Sequence, residues 1–201
     1  LPAASAEPLA APAAVVDGHH RRDRIVREAI RMFATRGYHD VSIEQIASAV
    51  ELTASGVYRH FPGKSAILLE ACERAAERLE AGMRAARDEA SGLTPVEAVR
   101  AVAADYVRRS SENHALIRVY YADFGALAPE EQRHLRVLQR TYLGEWIELL
   151  RTARPELGER EAAFLVHAGF GVVADLGIVE HQRRLSLEAQ TALIVERVFG
   201  V

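Results

Sequence analysis

Hydrophobic and polar positions repeat with the period of an α-helix along nearly the whole chain. Apolar residues recur at intervals of three and four, and no segment shows the every-second-residue alternation of a strand. The pattern breaks where proline, glycine or a capping residue stands, and these breaks divide the chain into about nine helices. We therefore predict an all-α fold.

The segment 42–64 predicts two short helices joined by a tight turn. Ser42 and Gln45 have the spacing of a capping box, so the first helix begins there. Thr53 is a candidate N-cap for the second helix, and Pro62-Gly63 ends that helix because proline lacks an amide donor. A helix–turn–helix unit of this kind can place its second helix in the major groove of DNA.

The outward polar groups of this segment suit a DNA duplex. Hydroxyl groups can reach phosphates, an arginine can read guanine, and the amides at a helix N-terminus favour anions. The candidate DNA-contacting residues are Ser42, Thr53, Ala54, Ser55, Gly56, Tyr58, Arg59, His60 and Lys64. The alternative is an ordinary pair of helices packed inside a helical protein.

Three runs of residues resemble the TetR family of bacterial transcriptional regulators. They are Phe33-Ala34-Thr35-Arg36-Gly37-Tyr38, Ser42-Ile43-Glu44-Gln45-Ile46-Ala47 and Val57-Tyr58-Arg59-His60-Phe61-Pro62-Gly63-Lys64. The resemblance covers about the first third of the chain. It implies a three-helix DNA-binding domain followed by a helical domain that binds an effector and dimerises. The family usually has glycine in the turn where this chain has Glu51, which predicts either a strained or an altered turn.

The chain divides into three predicted regions. We expect a disordered Ala/Pro-rich tail over residues 1–18, a helix–turn–helix DNA-binding domain over 19–65, and an effector-binding and dimerisation domain over 66–201. The basic residues 19–22 either touch the minor groove of DNA or form an idle linker.

Charge is distributed unevenly along the chain. The formal net charge is −3, yet residues 19–65 carry eight basic and five acidic side chains, a local balance of +3 that leaves −6 for the rest. A basic head on an acidic body is typical of a site-directed DNA binder.

Cys72 is the single cysteine, so an intramolecular disulfide is excluded, and its thiol is either a small buried hydrophobe or a redox sensor. The lone cysteine favours a reducing cytoplasm, and because no apolar run is long enough to span a membrane, we expect no membrane partner.

Bulky aromatic residues on four predicted helices of the second region can line a cavity. The resemblance implies an effector pocket in this region, and its apolar character predicts a small, largely apolar effector. The candidate effector-binding residues are Tyr106, Arg118, Tyr121, Phe124, Trp146, Phe164, His167 and Phe170. The alternative is that the aromatic residues simply fill a core.

The last two predicted helices carry apolar stripes, and the resemblance implies that they pair with those of a second copy. The candidate dimer-interface residues are Ala163, Val166, Val173, Ala174, Gly177, Leu193, Ile194 and Val198. A two-fold dimer would hold two reading helices about 34–36 Å apart, or a multiple of that distance. The alternative is burial of these stripes inside one subunit.

Together these features predict a ligand-responsive, sequence-specific transcriptional regulator. We expect a homodimeric repressor that a small-molecule effector releases from double-stranded operator DNA. Because no metal-binding helix motif, phosphate loop or nucleophile elbow is found, we expect no catalytic residues, no metal and no cofactor. The alternatives are a helical enzyme with His167 or His181 as acid–base, and an architectural DNA protein without a ligand.

Overall fold

The computed structural model describes residues 13–183 and 188–201, and the side chains of residues 20–176 and 188–201. Regular structure in these ranges is entirely helical, which confirms the predicted all-α class. The helices are α1 (Ala13–Arg36), α2 (Ile43–Ala49), α3 (Ala54–Tyr58), α4 (Lys64–Glu89), α5 (Pro95–Glu112), α6 (His114–Asp123), a short 3-10 turn (Phe124–Ala126), α7 (Pro129–Ala153), α8 (Glu159–Arg183) and α9 (Glu188–Phe199).

Side-chain caps set the start of three helices. Ser42 Oγ accepts a hydrogen bond from Gln45 N at 3.2 Å, while Gln45 Oε1 accepts one from Ser42 N at 3.0 Å. Thr53 Oγ1 caps α3 by accepting from Gly56 N at 3.1 Å. Thr94 forms the same reciprocal box as Ser42 at the start of α5. Each cap satisfies amides that the first helical turn would leave unpaired.

The first helix is longer than the sequence pattern predicts. Residues 13–18, assigned to the tail, have helical backbone as the first part of α1. The last proline of the segment is Pro12, and the alanines and valines that follow it are compatible with helix. The rest of the predicted tail, residues 1–12, lies outside the described residues.

Two hydrophobic cores divide the described part of the chain. One holds α1–α3 together around the fully buried Phe33, Val57 and Phe61, and it also takes in the first half of α4. The other is built around Trp146 and Phe199 by the second half of α4 with α5, α7, α8 and α9. Helix α4 therefore runs from the N-terminal head into the body.

Charged groups tie α4 to α1. Arg22 donates from Nε to Glu70 Oε1 at 2.9 Å and from Nη1 to the His60 carbonyl oxygen at 2.7 Å. Arg74 Nη1 donates to Asp23 Oδ1 at 2.5 Å. The hydrogen bond from Arg22 lowers the pKa of the Glu70 carboxyl, so the pair is charged near neutral pH. The position of α4 is thus linked through Arg22 to His60, the second residue after the short helix α3.

Candidate nucleic-acid interface and internal cavity

The turn between α2 and α3 sets the orientation of α3 relative to α2. Glu51 N donates to Ser48 O at 3.2 Å and Leu52 N donates to Ala47 O at 2.8 Å, the hydrogen-bond pattern of a Schellman motif. That motif needs a left-handed residue at its centre, and Glu51 has a φ of 58°. Of the two predicted outcomes, a strained turn or an altered one, the structure has the strained one.

Helix α3 turns an apolar side inward and leaves polar side chains in solvent. Val57 and Phe61 are buried, whereas Tyr58 is 51% exposed and Ser55 and Arg59 are also exposed. Neither the Tyr58 hydroxyl nor the Arg59 guanidinium has a hydrogen-bond partner within the described residues. These two groups are free to bind a ligand outside the protein, such as a phosphate or a base edge.

Three predicted DNA-contacting residues meet in one open groove of about 560 Å³. Ser42, Tyr58 and Lys64 contribute to its wall beside the N-terminus of α4. Lys64 is already engaged, because its Nζ donates to the carbonyl oxygens of Tyr38 at 2.8 Å and His39 at 3.3 Å. Its ammonium also lies 4.7 Å from the centroid of the Tyr38 ring. Lys64 therefore anchors the loop between α1 and α2, in addition to any contact with DNA.

The remaining candidates have local roles. The hydroxyl groups of Thr53 and Ser55 lie 3.0 Å apart, so the cap residue and an exposed α3 serine share a hydrogen bond. Ala54 is half-buried against the head core. His60 is half-buried, and its carbonyl oxygen is the acceptor for Arg22. A Cβ on Gly56 would lie 3.4 Å from Thr53 Oγ1, so only a small side chain fits there.

The body contains a cavity of about 470 Å³ bounded by α4, α5, α6, α7 and α8. Its wall is largely apolar and includes Cys72, Leu79 and Tyr120. Burial raises the pKa of the Cys72 thiol to about 12 and that of the Tyr120 phenol to about 12. Both groups are neutral near pH 7, so neither places a negative charge in the cavity.

Four of the eight predicted effector-binding residues line this cavity: Tyr106, Tyr121, His167 and Phe170. Trp146 does not, because its side chain is fully buried behind the wall. Its ring centroid lies 5.7 Å from that of Tyr106 and 5.8 Å from that of Phe170. Trp146 therefore supports two lining residues from behind.

The other three predicted residues lie away from the lining. Arg118 is exposed on α6, and Phe164 is 72% exposed on α8. Phe124 packs against Tyr120 with ring centroids 5.0 Å apart, one layer outside the wall. We correct the predicted set accordingly, since helical phase points these side chains elsewhere.

Several lining residues were not predicted from the sequence. They include Cys72, Arg78, Arg109, Ser110, Tyr120, Arg136, Arg140 and Tyr142. Tyr120 carried a usable signal, because it belongs to the same aromatic group as the residues that were chosen. The arginines carried none, because surface arginines are common on helices and only the packing of α4, α5 and α7 brings these to one cavity.

Two of the predicted dimer-interface residues face the interior of the subunit. Val166 and Val173 are buried in the second core, so in this structure they cannot contact a second copy. Val198 is half-buried and packs against the same core, and Ala163 is half-buried. Ala174 lines the cavity. Val166 and Val173 are therefore buried inside one subunit, which was the alternative to a role at the dimer interface.

Other predicted interface residues are open to solvent. Leu193 is 55% exposed and Ile194 is 40% exposed on α9. Phe164 on α8, placed in the predicted effector site, belongs with them as a large exposed apolar side chain. Gly177 lies in the part of α8 where only the backbone is described. Exposed apolar groups on the last two helices are of the type that another subunit would cover.

Neither a metal centre nor a membrane span is found in the described residues. No three histidine, cysteine, aspartate or glutamate side chains there are grouped closely enough to hold a metal ion. No helix in residues 13–183 or 188–201 is long and apolar enough to cross a membrane.

Comparison with known proteins locates the family signal in the head. Residues 25–71, from α1 into α4, match the family described as "Bacterial regulatory proteins, tetR family". Over 82 residues the chain is 30% identical to an uncharacterized HTH-type transcriptional regulator, YerO, of Bacillus subtilis, which covers 41% of this chain and 28% of that protein. The matches to curated relatives span between 21% and 45% of those proteins.

Solved structures extend the likeness to the whole fold. The TetR family regulator PfmR from Thermus thermophilus superposes with a TM-score of 0.75 at 22% identity, covering 88% of this chain and 97% of that one. The structure of AibR in complex with isovaleryl coenzyme A and operator DNA superposes with a TM-score of 0.72 at 18% identity, covering 89% and 98%. Residues 25–71 therefore match the tetR family of bacterial regulatory proteins in sequence, and the described helices have the fold of solved TetR-family regulators.

Proposed function

We propose that this chain is a homodimeric, sequence-specific DNA-binding regulator that represses transcription until a small effector enters its body and releases it from the operator. One observation carries the proposal. Helix α4 begins at Lys64 in the groove of the head and lines the body cavity from Cys72 to Leu79. A single rigid element therefore joins a DNA-reading unit to a ligand-sized cavity.

The DNA-facing part of the proposal rests on α3. The Tyr58 hydroxyl would donate a hydrogen bond to a phosphate oxygen. This contact would position the head without reading the base sequence. Arg59 and Ser55 would approach base edges in the major groove, where an arginine distinguishes guanine. The tetR-family match covers this helix, and the similar AibR structure is one in complex with operator DNA.

The effector-facing part rests on the link between α4 and α3. At 1.5 Å per residue, the cavity residue Ala75 lies roughly 17 Å along the helix from Lys64. Between them, Glu70 accepts a hydrogen bond from Arg22. Arg22 also donates to the carbonyl oxygen of His60, just after α3. A ligand that displaces α4 would move the reading helix through these contacts. Its effect is limited to the difference between its affinities for the two positions.

Dimerisation is proposed through α8 and α9. Phe164, Leu193 and Ile194 are large apolar side chains in solvent on these helices. A two-fold pair would cover them and would bring two copies of α3 to one DNA duplex. Because the half-sites are related by the same two-fold axis, the recognised sequence is expected to be palindromic, with half-site centres about 10 base pairs or a multiple apart.

Selection from a randomised duplex library tests the DNA-binding proposal. The wild-type protein should enrich one palindromic sequence. Arg59→Ala should weaken binding to that sequence by roughly tenfold or more and relax the preference at one position of each half-site. Tyr58→Phe should weaken binding to selected and unselected duplexes by a similar factor. The control is Arg151→Ala, which removes an exposed arginine of α7 far from the head in sequence.

Two results would contradict the proposal. One is the absence of any enriched sequence with a protein that is folded and dimeric. The other is an Arg59→Ala variant that binds and discriminates like Arg151→Ala, since α3 would then not read the bases.

A further inference from the structure

The cavity of the body has a wall of mixed chemistry. Most of its surface is apolar, but four arginines also line it: Arg78 on α4, Arg109 on α5, and Arg136 and Arg140 on α7. We call these four residues the arginine rim. The described residues that line the cavity include no aspartate or glutamate.

Among the described residues, an acid neutralises only one member of the arginine rim. Arg109 Nε donates to Asp105 Oδ2 at 2.5 Å. Arg136 Nη2 donates to the neutral side-chain oxygen of Gln132 at 2.7 Å. Arg78 and Arg140 form neither an ion pair nor a hydrogen bond with any described residue. Three guanidinium groups around one opening therefore lack a counter-charge in the part of the chain whose side chains are described.

The position of these groups places the positive charge at the mouth of the cavity. Arg78, Arg136 and Arg140 are exposed to solvent although they line it, so their charged ends lie at its opening. Arginine side chains commonly cover apolar surface with their methylene groups while the guanidinium stays in water. Charge of one sign at the mouth of an apolar cleft concentrates ions of the opposite sign.

The buried part of the wall also offers neutral polar groups. Ser110 is buried and lines the cavity, yet its hydroxyl has no hydrogen-bond partner of acceptable geometry in the described residues. Burial raises the pKa of the phenols of Tyr106 and Tyr142, so both are neutral near pH 7. A buried unpaired hydroxyl is costly, and a polar atom of a bound ligand would satisfy it.

We propose that the cavity binds an amphipathic anion, with an acyl or similar apolar part against the inner wall and a carboxylate or phosphate held by Arg78, Arg136 and Arg140. This deepens the proposed function, on which its regulatory meaning rests. Guanidinium groups match both kinds of oxyanion through paired hydrogen bonds. The volume of about 470 Å³ lies in the range of small-molecule sites. Cationic and neutral amphiphiles of the same length are expected to bind weakly.

The fluorescence of Trp146 supplies a test that does not need DNA. It is the single tryptophan of the chain, and it packs against Phe170 and Tyr106 of the cavity wall. The purified full-length protein is titrated with decanoate, decyl phosphate, decan-1-ol and decyltrimethylammonium, all below their micelle concentrations. Decanoate or decyl phosphate should bind at least tenfold more tightly than the alcohol, and the ammonium compound more weakly still. Comparison of the two anions distinguishes a carboxylate ligand from a phosphate one.

A matched pair of double variants assigns the effect to the arginine rim. Arg78→Gln with Arg140→Gln should raise the Kd of the preferred anion at least tenfold and leave that of decan-1-ol within twofold. The control, Arg87→Gln with Arg133→Gln, removes two exposed arginines from the same helices, and neither of these lines the cavity. Its affinities should match those of the wild type.

The proposal would be overturned if neither anion binds saturably, if decan-1-ol or the ammonium compound binds as tightly as the anions, or if the two double variants bind the anion alike. Failure of the proposed function looks different. If the anion binds as expected but does not release DNA selected by the wild-type protein, the ligand class stands and the release mechanism is wrong.

Discussion

Replacing Glu51 by glycine should stabilise the protein, although the change removes a charged side chain. Glu51 stands at the left-handed centre of the turn between α2 and α3, with a φ of 58°. Left-handed backbone brings Cβ too close to the following carbonyl oxygen, and glycine has no Cβ. Glu51→Gly therefore relieves strain, whereas Glu51→Ala removes the carboxylate and keeps the strain.

Three terms set the size of the effect. The left-handed conformation costs roughly 1–2 kcal/mol in a residue with a Cβ. Glycine loses more conformational freedom on folding, which offsets about 0.5–1 kcal/mol of that gain. The ion pair between Glu51 and Arg24 spans 3.7 Å, and the two side chains are 88% and 53% exposed, so its loss costs about 0–0.5 kcal/mol. Both variants lose the ion pair, so Glu51→Gly should exceed Glu51→Ala in free energy of unfolding by the difference of the first two terms, about 0.75 kcal/mol at their midpoints.

Scanning calorimetry of the two variants and the wild type measures this difference. In a chain of this size 1 kcal/mol corresponds to about 2–4 °C in Tm, so Glu51→Gly should melt about 1–4 °C above Glu51→Ala. Gly37 gives the reverse control, because it ends α1 with a φ of 92° and Gly37→Ala should be destabilising. A Glu51→Gly variant that melts no higher than Glu51→Ala would refute the assignment of strain to this turn.

Two further outcomes follow from the packing of the body. A Cβ on Gly169 would lie 2.7 Å from Cε1 of the buried Phe199, so Gly169→Ala should lower the free energy of unfolding by about 1–3 kcal/mol in urea titrations. The control Gly144→Ala, where no atom lies within 4 Å of the new Cβ, should be neutral or stabilising, and equal effects at both sites would contradict the packing argument. Burial raises the pKa of Cys72 to about 12, so alkylation by iodoacetamide at pH 8 should be slow in the folded protein and fast in urea, and equally fast reaction in both would show that the thiol is accessible.

Local signals in the sequence located the head, because its elements are specified within a few residues. Ser42 and Thr53 begin their helices where predicted, since a cap is a contact between residues three apart. Glu51 is left-handed for the same kind of reason, since the Schellman turn closes over six residues. The end of the predicted tail at residue 18 was placed too late, because an alanine-rich stretch without a cap gives no boundary signal.

The cavity was predicted less well because its wall is made by residues distant in sequence. Tyr106 and Phe170 were identified as bulky groups on apolar helices, and so was Trp146, but only packing decides that the first two face the cavity and the third stands behind them. Phe164 shows the opposite outcome, because an aromatic residue expected in the pocket lies 72% exposed. Residue type predicted that a cavity exists but not which side chains surround it.

The arrangement along α4 explains how a small ligand could act on DNA in the proposed mechanism. Arg78 near the cavity mouth and Glu70 in the link to Arg22 are eight residues, or roughly 12 Å, apart on the same helix. An anion that draws Arg78 toward Arg140 would therefore displace α4. The helix would transmit this displacement to the Arg22–Glu70 pair.

The difference between the anion's affinities for the two positions of α4 limits the size of such a response. A tenfold preference of the anion for one position of α4 shifts the equilibrium by about 1.4 kcal/mol, and near-complete switching needs about 5.5 kcal/mol in each dimer. Two cavities that act on one dimer each supply half of that figure. Each site must then discriminate between the two positions of α4 by about a hundredfold, and charged hydrogen bonds from three arginines that have no acidic partner among the described residues, made in only one of those positions, are of the strength required.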